Sequence, residues 1–449
     1  MTSGARMKIA VVGSGISGLA AAWLLNRGHD VALYEQARRV GGHSHTVSAE
    51  IGGASVAVDT GFIVFNPSTY PNFVELLRVL GVRSRDTDMS LAVSLDDGGV
   101  EYSGSGLTGL FGQPSNLVRP RFWGMLADLV RFYRQATRDA RSPAGEDLTL
   151  GAYLAQGGYG AAFRDHHILP MASAIWSAAP AAILDYPASA FLRFHDNHGL
   201  LRLTGRPIWR TVVGGSQAYV SEMIAPMRDR LRLGAGVARI ERVNGRVVVT
   251  DRRGEREIFD HVVVAAHADD ALAMLADADS HERALLGAFR YSRNIAVLHT
   301  DEGLMPRRRS VWASWNFIGD CAAPERASVT YWMNRLQSLS TKTNVFVTLN
   351  PTREPRADTV LNRELYDHPL FDAAAIGAQK RLWSLQGARN TWFCGAHFGA
   401  GFHEDGLQAG LAVAEQLGGV RRPWRAPNES SRIVLGPVAP SPQEAEIAA

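Results

Sequence analysis

The segment MKIAVVGSGISG (residues 7–18) is a short apolar run that leads directly into three closely spaced glycines. Gly13 suits the tight turn after a strand, Gly15 lets the backbone approach a ligand, and Gly18 lets the next helix lie close to the sheet. That helix is expected over residues 19–27, and its unpaired first amides and its dipole attract a phosphate group. The spacing therefore predicts a strand, turn and helix that bind a pyrophosphate.

An acidic residue in the expected place extends this motif. Residues 31–34 are typical of a second buried strand, and Glu35 follows it, seventeen residues after Gly18. A carboxylate there accepts hydrogen bonds from ribose hydroxyls and disfavours a 2′-phosphate. A glycine motif alone is weak, but the ordered strand, helix, strand and acid predict a site for an adenine dinucleotide.

The overall composition limits the class of protein. A chain of 449 residues with 46% hydrophobic and 20% charged residues is typical of a globular protein of two or three domains. The net charge of +3 is too small to indicate nucleic-acid binding. Cys321 and Cys394 are too few for a disulfide framework, and no apolar run of about twenty residues predicts a transmembrane helix. We expect a cytoplasmic protein without a secretory signal, and no metal site, because the histidines lack ligand spacing.

Elements of nucleotide-binding type recur in three blocks of the chain. Gly214 and Gly215 precede a second helix, residues 259–266 are typical of a buried parallel strand, and a strand at 391–394 precedes a final helix. The predicted dinucleotide-binding domain comprises residues 1–85, 205–275 and 385–418. The predicted substrate domain is discontinuous and comprises residues 86–204 and 276–384. The remainder, residues 419–449, is rich in Pro, Ser and Ala and is predicted to be mostly disordered.

Motifs spread over nearly the whole chain carry a family resemblance. They are the segment Gly13 to Gly18, Glu35, Arg39 with Gly41-Gly42, Gly214-Gly215, and Glu404-Asp405-Gly406 followed by Gly410. Together they resemble the FAD-dependent amine oxidase and phytoene desaturase superfamily. The resemblance implies an α/β fold in which a doubly wound Rossmann-type FAD domain is interleaved with a discontinuous α+β substrate domain. It also implies an FAD-dependent oxidoreductase.

Three shorter phrases point to one branch of this superfamily. They are Asp59-Thr60-Gly61-Phe62, Ile175-Trp176-Ser177 and the run FGAGFHEDG at residues 398–406. These resemble a bacterial branch of predicted flavin-containing amine oxidases. That branch is similar to flavoproteins of furan fatty acid biosynthesis that desaturate methyl-branched fatty acyl chains.

The resemblance assigns cofactor roles to particular residues. The FAD pyrophosphate is expected at Gly13, Gly15, Ser17 and Gly18, and the AMP ribose at Glu35. Adenine is expected near Val237, and Gly395 belongs to the last strand beside the cofactor. The far side of the diphosphate and the ribityl chain are assigned to Arg39, Gly41, Gly42 and His43. Asp405, with the amides of Gly406 and Leu407 at a helix start, is expected to reach the ribityl chain and the flavin C2 carbonyl.

The chain also departs from the pattern of the superfamily. Ala396 stands where an acid usually follows the glycine of the last strand, so that contact is missing or comes from Glu404. His43 stands in place of the usual arginine after the double glycine. No Ser-Gly-Gly-Cys-Tyr stretch is present to tether a flavin through sulfur, so we expect noncovalent FAD. No paired aromatic cage for an amine is identifiable.

Candidate proton acceptors cluster in two loops. FAD accepts a hydride at N5, so the protein has to hold a C–H bond against the ring and receive the companion proton. His403 and Glu404 are favoured because they precede Gly406, and His397 is a third candidate. His43 and His45 lie on the first-domain loop. For each of these side chains the alternative is a hydrogen bond to the cofactor or the backbone.

A basic amphipathic segment at residues 119–141 suggests a membrane contact. Apolar residues recur there at helical spacing, and arginines dominate the rest. Such a helix lies on an anionic membrane with Trp123 and Phe132 directed inward, or it is a core helix with a solvated outer face. In the first case the protein is peripheral on the inner face of the cytoplasmic membrane and draws its substrate from lipid.

The sequence leaves several reactions open. The first hypothesis is removal of a hydride and a proton from an apolar or lipid substrate, in particular a methyl-branched acyl chain of a phospholipid. The alternatives are amine oxidation, desaturation of a carotenoid or other isoprenoid, and a flavin-dependent isomerisation without net redox change. The oligomeric state and the electron acceptor stay open.

Overall fold

The computed structural model describes residues 6–141, 148–176, 180–202, 204–323 and 327–438. Its strands are β1 (Lys8–Val12), β2 (Asp30–Glu35), β3 (Thr46–Ile51), β4 (Ala54–Asp59), β5 (Val64–Phe65), β6 (Ser84–Thr87), β7 (Leu91–Leu95), β8 (Val100–Ser103), β9 (Trp209–Val212), β10 (Leu231–Leu233), β11 (Val237–Val243), β12 (Arg246–Asp251), β13 (Arg256–Phe259), β14 (His261–Val264), β15 (Arg290–His299), β16 (Trp315–Gly319), β17 (Ala327–Trp332), β18 (Phe346–Leu349), β19 (Val360–Leu370) and β20 (Thr391–Phe393).

The helices are α1 (Ile16–Leu25), α2 (Pro71–Leu80), α3 (Gly106–Leu110), α4 (Pro120–Asp139), α5 (Leu150–Gln156), α6 (Ala161–Phe163), α7 (Leu169–Trp176), α8 (Pro180–Leu184), α9 (Ala188–Asn197), α10 (Gln217–Ile224), α11 (Ala268–Met274), α12 (Ser280–Leu286), α13 (Met333–Leu336), α14 (Ala373–Gln379) and α15 (His403–Gly418). Among them, none combines the length and the apolar composition that a transmembrane span requires.

A five-stranded parallel sheet forms the centre of the part of the fold that contains the glycine-rich N-terminal motif. Its order is β10-β2-β1-β14-β20, with every pair parallel. One face is covered by α1 and α15, which lie close together. Gly410 permits this approach, since a Cβ added there would lie 2.1 Å from the Ser17 carbonyl oxygen. The antiparallel strands β11, β12 and β13 lie on the other side, where Phe259 contacts Tyr34. This arrangement confirms the predicted α/β fold.

A second, larger sheet has seven strands and is separate from the parallel sheet. Its order is β19-β15-β18-β17-β16-β7-β8, and its neighbours are antiparallel except for β16 and β7. The helices α3 to α9 come between β8 and β9 in the chain, and α7 contacts β16. The parallel sheet uses strands from residues 8–35, 231–264 and 391–393, whereas the larger sheet uses residues 91–103 and 290–370. The two sheets therefore alternate along the chain, and the exact domain boundaries stay a prediction.

The segment after α15 differs from the predicted disordered tail. Over residues 419–438 the chain lies against α15 and α2, with Arg422, Trp424 and Ile433 buried. Arg422 donates to Glu415 and to Asn72, and the Trp424 indole also donates to Asn72. The prediction is wrong for this part because its few apolar and arginine side chains find specific partners. Residues 439–449 lie outside the described residues.

Candidate functional site

One continuous cavity of about 1670 Å³ lies between the two sheets. Ligand pockets are usually roughly 300–1,000 Å³, so this space is large enough for more than one small ligand. We call its first part the dinucleotide groove; it is lined by residues 12–17, 34–37, 41–43, 236–238, 265–267 and 395–397. We call a second part the substrate section; it is lined by side chains from β7, β8, α3, α4, α7, α9 and β16 to β18, and by Leu200, Thr204, Arg206 and Trp209.

The glycine turn after β1 forms the floor of the groove. Gly13 has φ of +100°, and a Cβ added there would lie 2.6 Å from the Ala265 carbonyl oxygen. A Cβ at Gly18 would lie 1.9 Å from the Gly13 carbonyl oxygen, so only glycine lets α1 start so near the turn. A Cβ at Gly15 would instead meet nothing within 4 Å. The turn is therefore closed on its protein side and open on the side where a pyrophosphate is predicted, next to Ser17, which also lines the groove.

Glu35 closes one end of the groove. Its carboxylate accepts hydrogen bonds from the Ser14 amide (3.0 Å), the Ser14 hydroxyl (2.5 Å) and the Ala37 amide (2.8 Å). These bonds fix the side chain at the end of β2 beside the turn. Val237 lies at the start of β11 and lines the groove together with Ala238, and the register of β11 shifts between Val237 and Arg239. Glu35, which is assigned to the ribose, and Val237, which is assigned to the adenine, thus both line the groove.

The double glycine after β2 lies against the glycine turn. Gly41 and Gly42 have φ of +110° and +56°, and a Cβ at Gly42 would lie 3.1 Å from the Cα of Gly15. Arg39 donates to the Gly42 carbonyl oxygen (2.7 Å), which fixes this loop. His43 lines the cavity, and its Nε2 atom is buried with no hydrogen-bond partner among the described residues. The segment thus presents backbone and an unpartnered imidazole to the groove.

The start of α15 differs from the prediction. Asp405 is fully buried, accepts from the Phe402 amide (2.7 Å) and pairs with Arg432 (2.5 Å). The amide of Gly406 donates to the Phe402 carbonyl oxygen (3.2 Å). Asp405, Gly406 and Leu407 therefore do not line the cavity, against our prediction, because the ion pair to the segment after α15 turns the carboxylate away. The lining residues here are Gly395, Ala396, His397 and 400–403.

Glu404 also has a different place from the one predicted. It is fully buried and does not line the cavity. Its oxygens accept from the amides of Asn72 (3.1 Å) and Phe73 (3.0 Å) at the first turn of α2, and from the Gln408 side chain (3.0 Å). Such bonds satisfy amides that a helix start leaves unpaired. Glu404 therefore stabilises α2 and is neither a proton acceptor at the cavity nor a phosphate contact.

His403 and His397 do face the cavity. The His403 ring stacks on Phe62 at 3.8 Å, and its Nε2 bonds to the Tyr219 hydroxyl (2.8 Å), which in turn bonds to the Ser44 hydroxyl. His397 has no partner at Nε2 among the described residues. Burial lowers the pKa of both imidazoles to about 3, so both are neutral at pH 7.

Further histidines around this point were missed from the sequence. His368 lies 5.3 Å and Tyr366 lies 4.8 Å from the His43 ring, and His267 also lines the cavity. Burial lowers the pKa of His368 to about 4. Tyr366 and His368 alternate on β19 and so point to one face, which is a signal that the sequence offered. His45, another candidate from the sequence, bonds to Thr60 (3.2 Å) and does not line the cavity.

The substrate section is mostly apolar. Its side chains include Met89, Leu91, Val93, Leu107, Leu110, Leu126, Leu129, Val130, Met171, Ile175, Trp176, Leu200, Trp209, Trp315, Tyr331 and Leu349. Arg206 lines it beside Tyr133, and it is the one charged side chain that we find there among the described residues. His167 lies in the same region; its Nε2 is buried and has no partner among the residues that the structure describes, and burial lowers its pKa to about 4.

Three carboxylates line the cavity elsewhere. They are Glu35, Asp270 and Asp367. Asp367 lies on β19, an edge strand of the larger sheet, and pairs with Arg293 (3.2 Å). Asp270 also lies with His267 and Asp269 in a group whose ligand atoms are within 4.8 Å of one another. Two acids and a histidine at a helix start do not by themselves make a metal site. The described part of the substrate section contains no carboxylate.

The groove fits FAD. The open side of Gly15, the carboxylate of Glu35 and the amides at the start of α1 match the pyrophosphate and ribose of a dinucleotide. Within the described part of the chain, His43 and His397 each have a ring nitrogen without a partner beside the remaining space. Neither of the two cysteines lines the cavity, in line with noncovalent binding.

Comparison with known proteins agrees with this geometry. The family described as flavin containing amine oxidoreductase matches residues 16–300. No curated protein matches the chain. Among solved structures, cyclohexylamine oxidase from Brevibacterium oxydans IH-35A is 16% identical with a TM-score of 0.65, covering 92% of this chain and 100% of its own.

Two other solved structures show the same fold. Putrescine oxidase bound to putrescine is 15% identical with a TM-score of 0.64, covering 92% of this chain and 99% of its own. A CLA-producing fatty acid isomerase from P. acnes is 16% identical with a TM-score of 0.62, covering 93% and 99%. Since the family match spans more than half of the chain, the protein belongs to the flavin containing amine oxidoreductase family and is an FAD-dependent oxidoreductase.

Proposed function

We propose that this protein desaturates a methyl-branched fatty acyl chain. The observation that supports this most is the character of the substrate section, which is apolar, contains no carboxylate among the described residues and has Arg206 as its charged group. A long hydrocarbon chain gains from burial there at roughly 0.8 kcal/mol per CH₂. An anionic head group at the end of that chain finds its counter-charge in Arg206.

The same section is unfavourable for an amine. An ammonium group needs a counter-charge or several hydrogen bonds when it leaves water, and the carboxylates of the cavity lie elsewhere. His167 does not supply one, because it is neutral at pH 7. The aromatic rings of the section offer only a cation–π contact. Amine oxidation is therefore the second candidate, and a carotenoid hydrocarbon is the third, because it has no anionic group for Arg206 to bind.

The fold alone does not choose between these substrates. The cyclohexylamine and putrescine oxidases and the fatty acid isomerase cover this chain to a similar extent, with similar TM-scores. The choice therefore depends on the side chains of the substrate section. The isomerase also supports the proposal in one respect, since it is a protein of this fold named for a fatty acid substrate.

The proposed reaction removes two hydrogens from adjacent carbons. FAD supplies the oxidant, since its ring accepts a hydride, that is, one proton with two electrons. The substrate carbon that loses the hydride becomes electron-poor, and a methyl branch stabilises it. The adjacent carbon then loses a proton, and the electron pair of that C–H bond becomes the double bond. Turnover further requires a carrier or oxygen to reoxidise the cofactor.

His403 is the proposed proton acceptor. It faces the cavity, and its ring is fixed between Phe62 and the Tyr219 hydroxyl. A neutral imidazole with a low pKa is a weak base, but a proton beside an electron-poor carbon is strongly acidic, so a weak base suffices. Neutrality also avoids a positive charge next to the developing cation. The chain from His403 through Tyr219 to Ser44 gives the proton a route away from the substrate.

Anaerobic mixing tests the substrate class. The FAD-loaded protein is mixed with a methyl-branched fatty acid, the matching phospholipid, a long-chain primary amine and an isoprenoid hydrocarbon, and loss of flavin absorbance is followed. We expect the branched acyl substrates to bleach the flavin and to yield a new double bond by mass spectrometry. Bleaching by the amine alone refutes the proposal. A moved double bond without bleaching indicates an isomerase instead.

The role of His403 is tested with the substrate that bleaches the flavin. We expect His403→Asn to slow bleaching at saturating substrate while the FAD content stays unchanged. His281→Asn is the control, because His281 is exposed and does not line the cavity. An unchanged bleaching rate in His403→Asn removes this residue from the proton step and directs attention to His397.

A further inference from the structure

An exposed apolar surface with no role in the proposed reaction lies on α3, on the segment between α3 and α4, and on the first turn of α4. Four large apolar side chains are exposed within residues 107–123: Val118 (81%), Leu107 (75%), Leu117 (52%) and Trp123 (48%). Exposed apolar residues that occur singly need no explanation, but a contiguous group on a protein of this kind indicates a binding surface.

Contacts show that these side chains form one patch. The Trp123 indole donates to the Leu117 carbonyl oxygen (3.0 Å), and the Trp123 ring lies 5.7 Å from the Phe111 ring. Phe111 directly follows α3, which carries Leu107 and Leu110. Leu107, Leu117, Val118 and Trp123, with Arg119 and Arg121, are called the docking patch from here on.

The patch is positively charged as well as apolar. Arg121 is exposed within it, Arg119 is half-buried and donates to the Gly99 carbonyl oxygen (2.7 Å), and the chain contains no acidic residue between Glu101 and Asp128. Two carboxylates act on His166 together with Arg121: Asp165, which is paired with Arg164 (2.7 Å), and Asp96, which accepts from the Cys321 amide (2.8 Å). Asp128 is paired with Arg131 (2.8 Å). Asp128 and Asp165 are thus already neutralised, and an anionic partner fits the patch.

The patch also adjoins the cavity. Leu107 and Leu110 line the substrate section, and Leu107 is at the same time largely exposed. The next cavity wall along the chain is α4, through Leu126, Leu129 and Val130. The exposed apolar surface therefore continues into the apolar interior.

The rest of the predicted membrane helix does not take part. Phe132 is fully buried among Tyr159 and Phe163, so it cannot enter a bilayer as the sequence suggested. Arg131 donates to the carbonyl oxygens of Gly157 and Gly158, and Arg141 pairs with Asp196 (3.3 Å). Periodicity identified α4 as amphipathic but did not show that this half of it is covered by the protein's own helices.

We propose that the docking patch binds the surface of an anionic lipid bilayer, with Trp123, Leu117 and Val118 inserted among the head groups. Trp and aliphatic side chains gain from the interface, and each nearby arginine adds attraction to anionic lipid. The patch then faces the lipid with the cavity opening beside it. This docking is independent of the reaction proposed above, since any apolar substrate would use the same entry.

Vesicle co-sedimentation of the full-length, FAD-loaded protein tests the proposal. The vesicles contain phosphatidylglycerol and phosphatidylcholine in equal parts, with pure phosphatidylcholine as the comparison. We expect binding to the anionic vesicles that falls about tenfold in Val118→Asp and that weakens at high salt. Ile258→Asp is the matched control, because Ile258 is also an exposed apolar residue but lies on β13, outside the docking patch.

Both variants change exposed residues, so both are expected to fold and to retain FAD, which absorbance checks. Absence of wild-type binding to anionic vesicles overturns the proposal. Equal losses in Val118→Asp and Ile258→Asp overturn it as well, because binding then follows net charge rather than this surface.

Discussion

The dinucleotide groove and the substrate section belong to one cavity but are built from different materials. The groove is lined largely by Gly, Ala and Ser residues, whose short or absent side chains leave the backbone accessible, at the turn after β1, the loop at 41–43 and the segments 236–238 and 265–267. The substrate section is lined by side chains from strands and helices between residues 89 and 349. Backbone contacts require glycines at fixed short spacings, whereas a wall of side chains requires only apolar residues that the fold brings together.

This difference explains where substitutions should act. A change in the groove meets either the protein's own backbone or the cofactor, so its effect is large and local. A change in the substrate section alters one side chain among many, so its effect is smaller and depends on the ligand. The two regions therefore differ in the size of the expected effects and in the measurement that reveals them.

The largest contrast is expected within the glycine turn itself. Gly18→Val places a Cβ within 1.9 Å of the Gly13 carbonyl oxygen, so we expect a loss of stability of about 4 kcal/mol or more. Gly15→Val meets open space, and φ at Gly15 is −64°, which valine adopts. Its apoprotein should unfold at the wild-type urea concentration.

In Gly15→Val the new side chain occupies space assigned to the pyrophosphate. Overpacking of about 1–3 kcal/mol corresponds to FAD binding that is weaker by about 5- to 150-fold. Fluorescence titration with FAD measures this. Unchanged FAD affinity in Gly15→Val contradicts the placement of the pyrophosphate, whichever way Gly18→Val behaves.

An intermediate effect on stability is expected at Glu404, which lies in the first turn of α15 and does not line the cavity. Glu404→Gln removes acceptor capacity from the first turn of α2, at a cost of about 1–3 kcal/mol in the free energy of unfolding. Flavin reduction per bound FAD should stay at the wild-type rate, because Glu404 does not line the cavity. Glu75→Gln, which breaks only a surface pair with Arg78, is the control and should change neither quantity. Lost reduction at wild-type stability would return Glu404 to the reaction.

The smallest effect is expected in the substrate section. Arg206→Gln should weaken binding of a long-chain fatty acid by about tenfold, or about 1.4 kcal/mol, and leave binding of the corresponding alcohol unchanged. Quenching of tryptophan fluorescence reports both, since Trp176, Trp209 and Trp315 line the section. Arg202→Gln on the same loop is the control, because Arg202 does not line the cavity. An equal loss for acid and alcohol argues against a head-group contact.

Sequence and structure agree best where chemistry depends on neighbours in the chain. Gly13, Gly15, Gly18 and Glu35 were identifiable because turn, helix start and strand end follow one another within a single unit. The adjacent residues His403 and Glu404 show the limit. Both follow the last strand and both are titratable, yet one faces the cavity and the other stabilises α2. Helix rotation separates neighbouring side chains by about 100°, and only packing decides which one points inward.

The sequence by itself determined the α/β fold, the family and FAD, since glycines at positive φ and a carboxylate at a strand end leave a local pattern. Only the tertiary structure decided that Asp405 pairs with Arg432 behind the cavity, that Phe132 is covered, and that Arg206 is the charge of the substrate section. These positions depend on contacts between residues tens to hundreds of positions apart. Such contacts leave no spacing in the chain, because their energy comes from surfaces that meet only after folding.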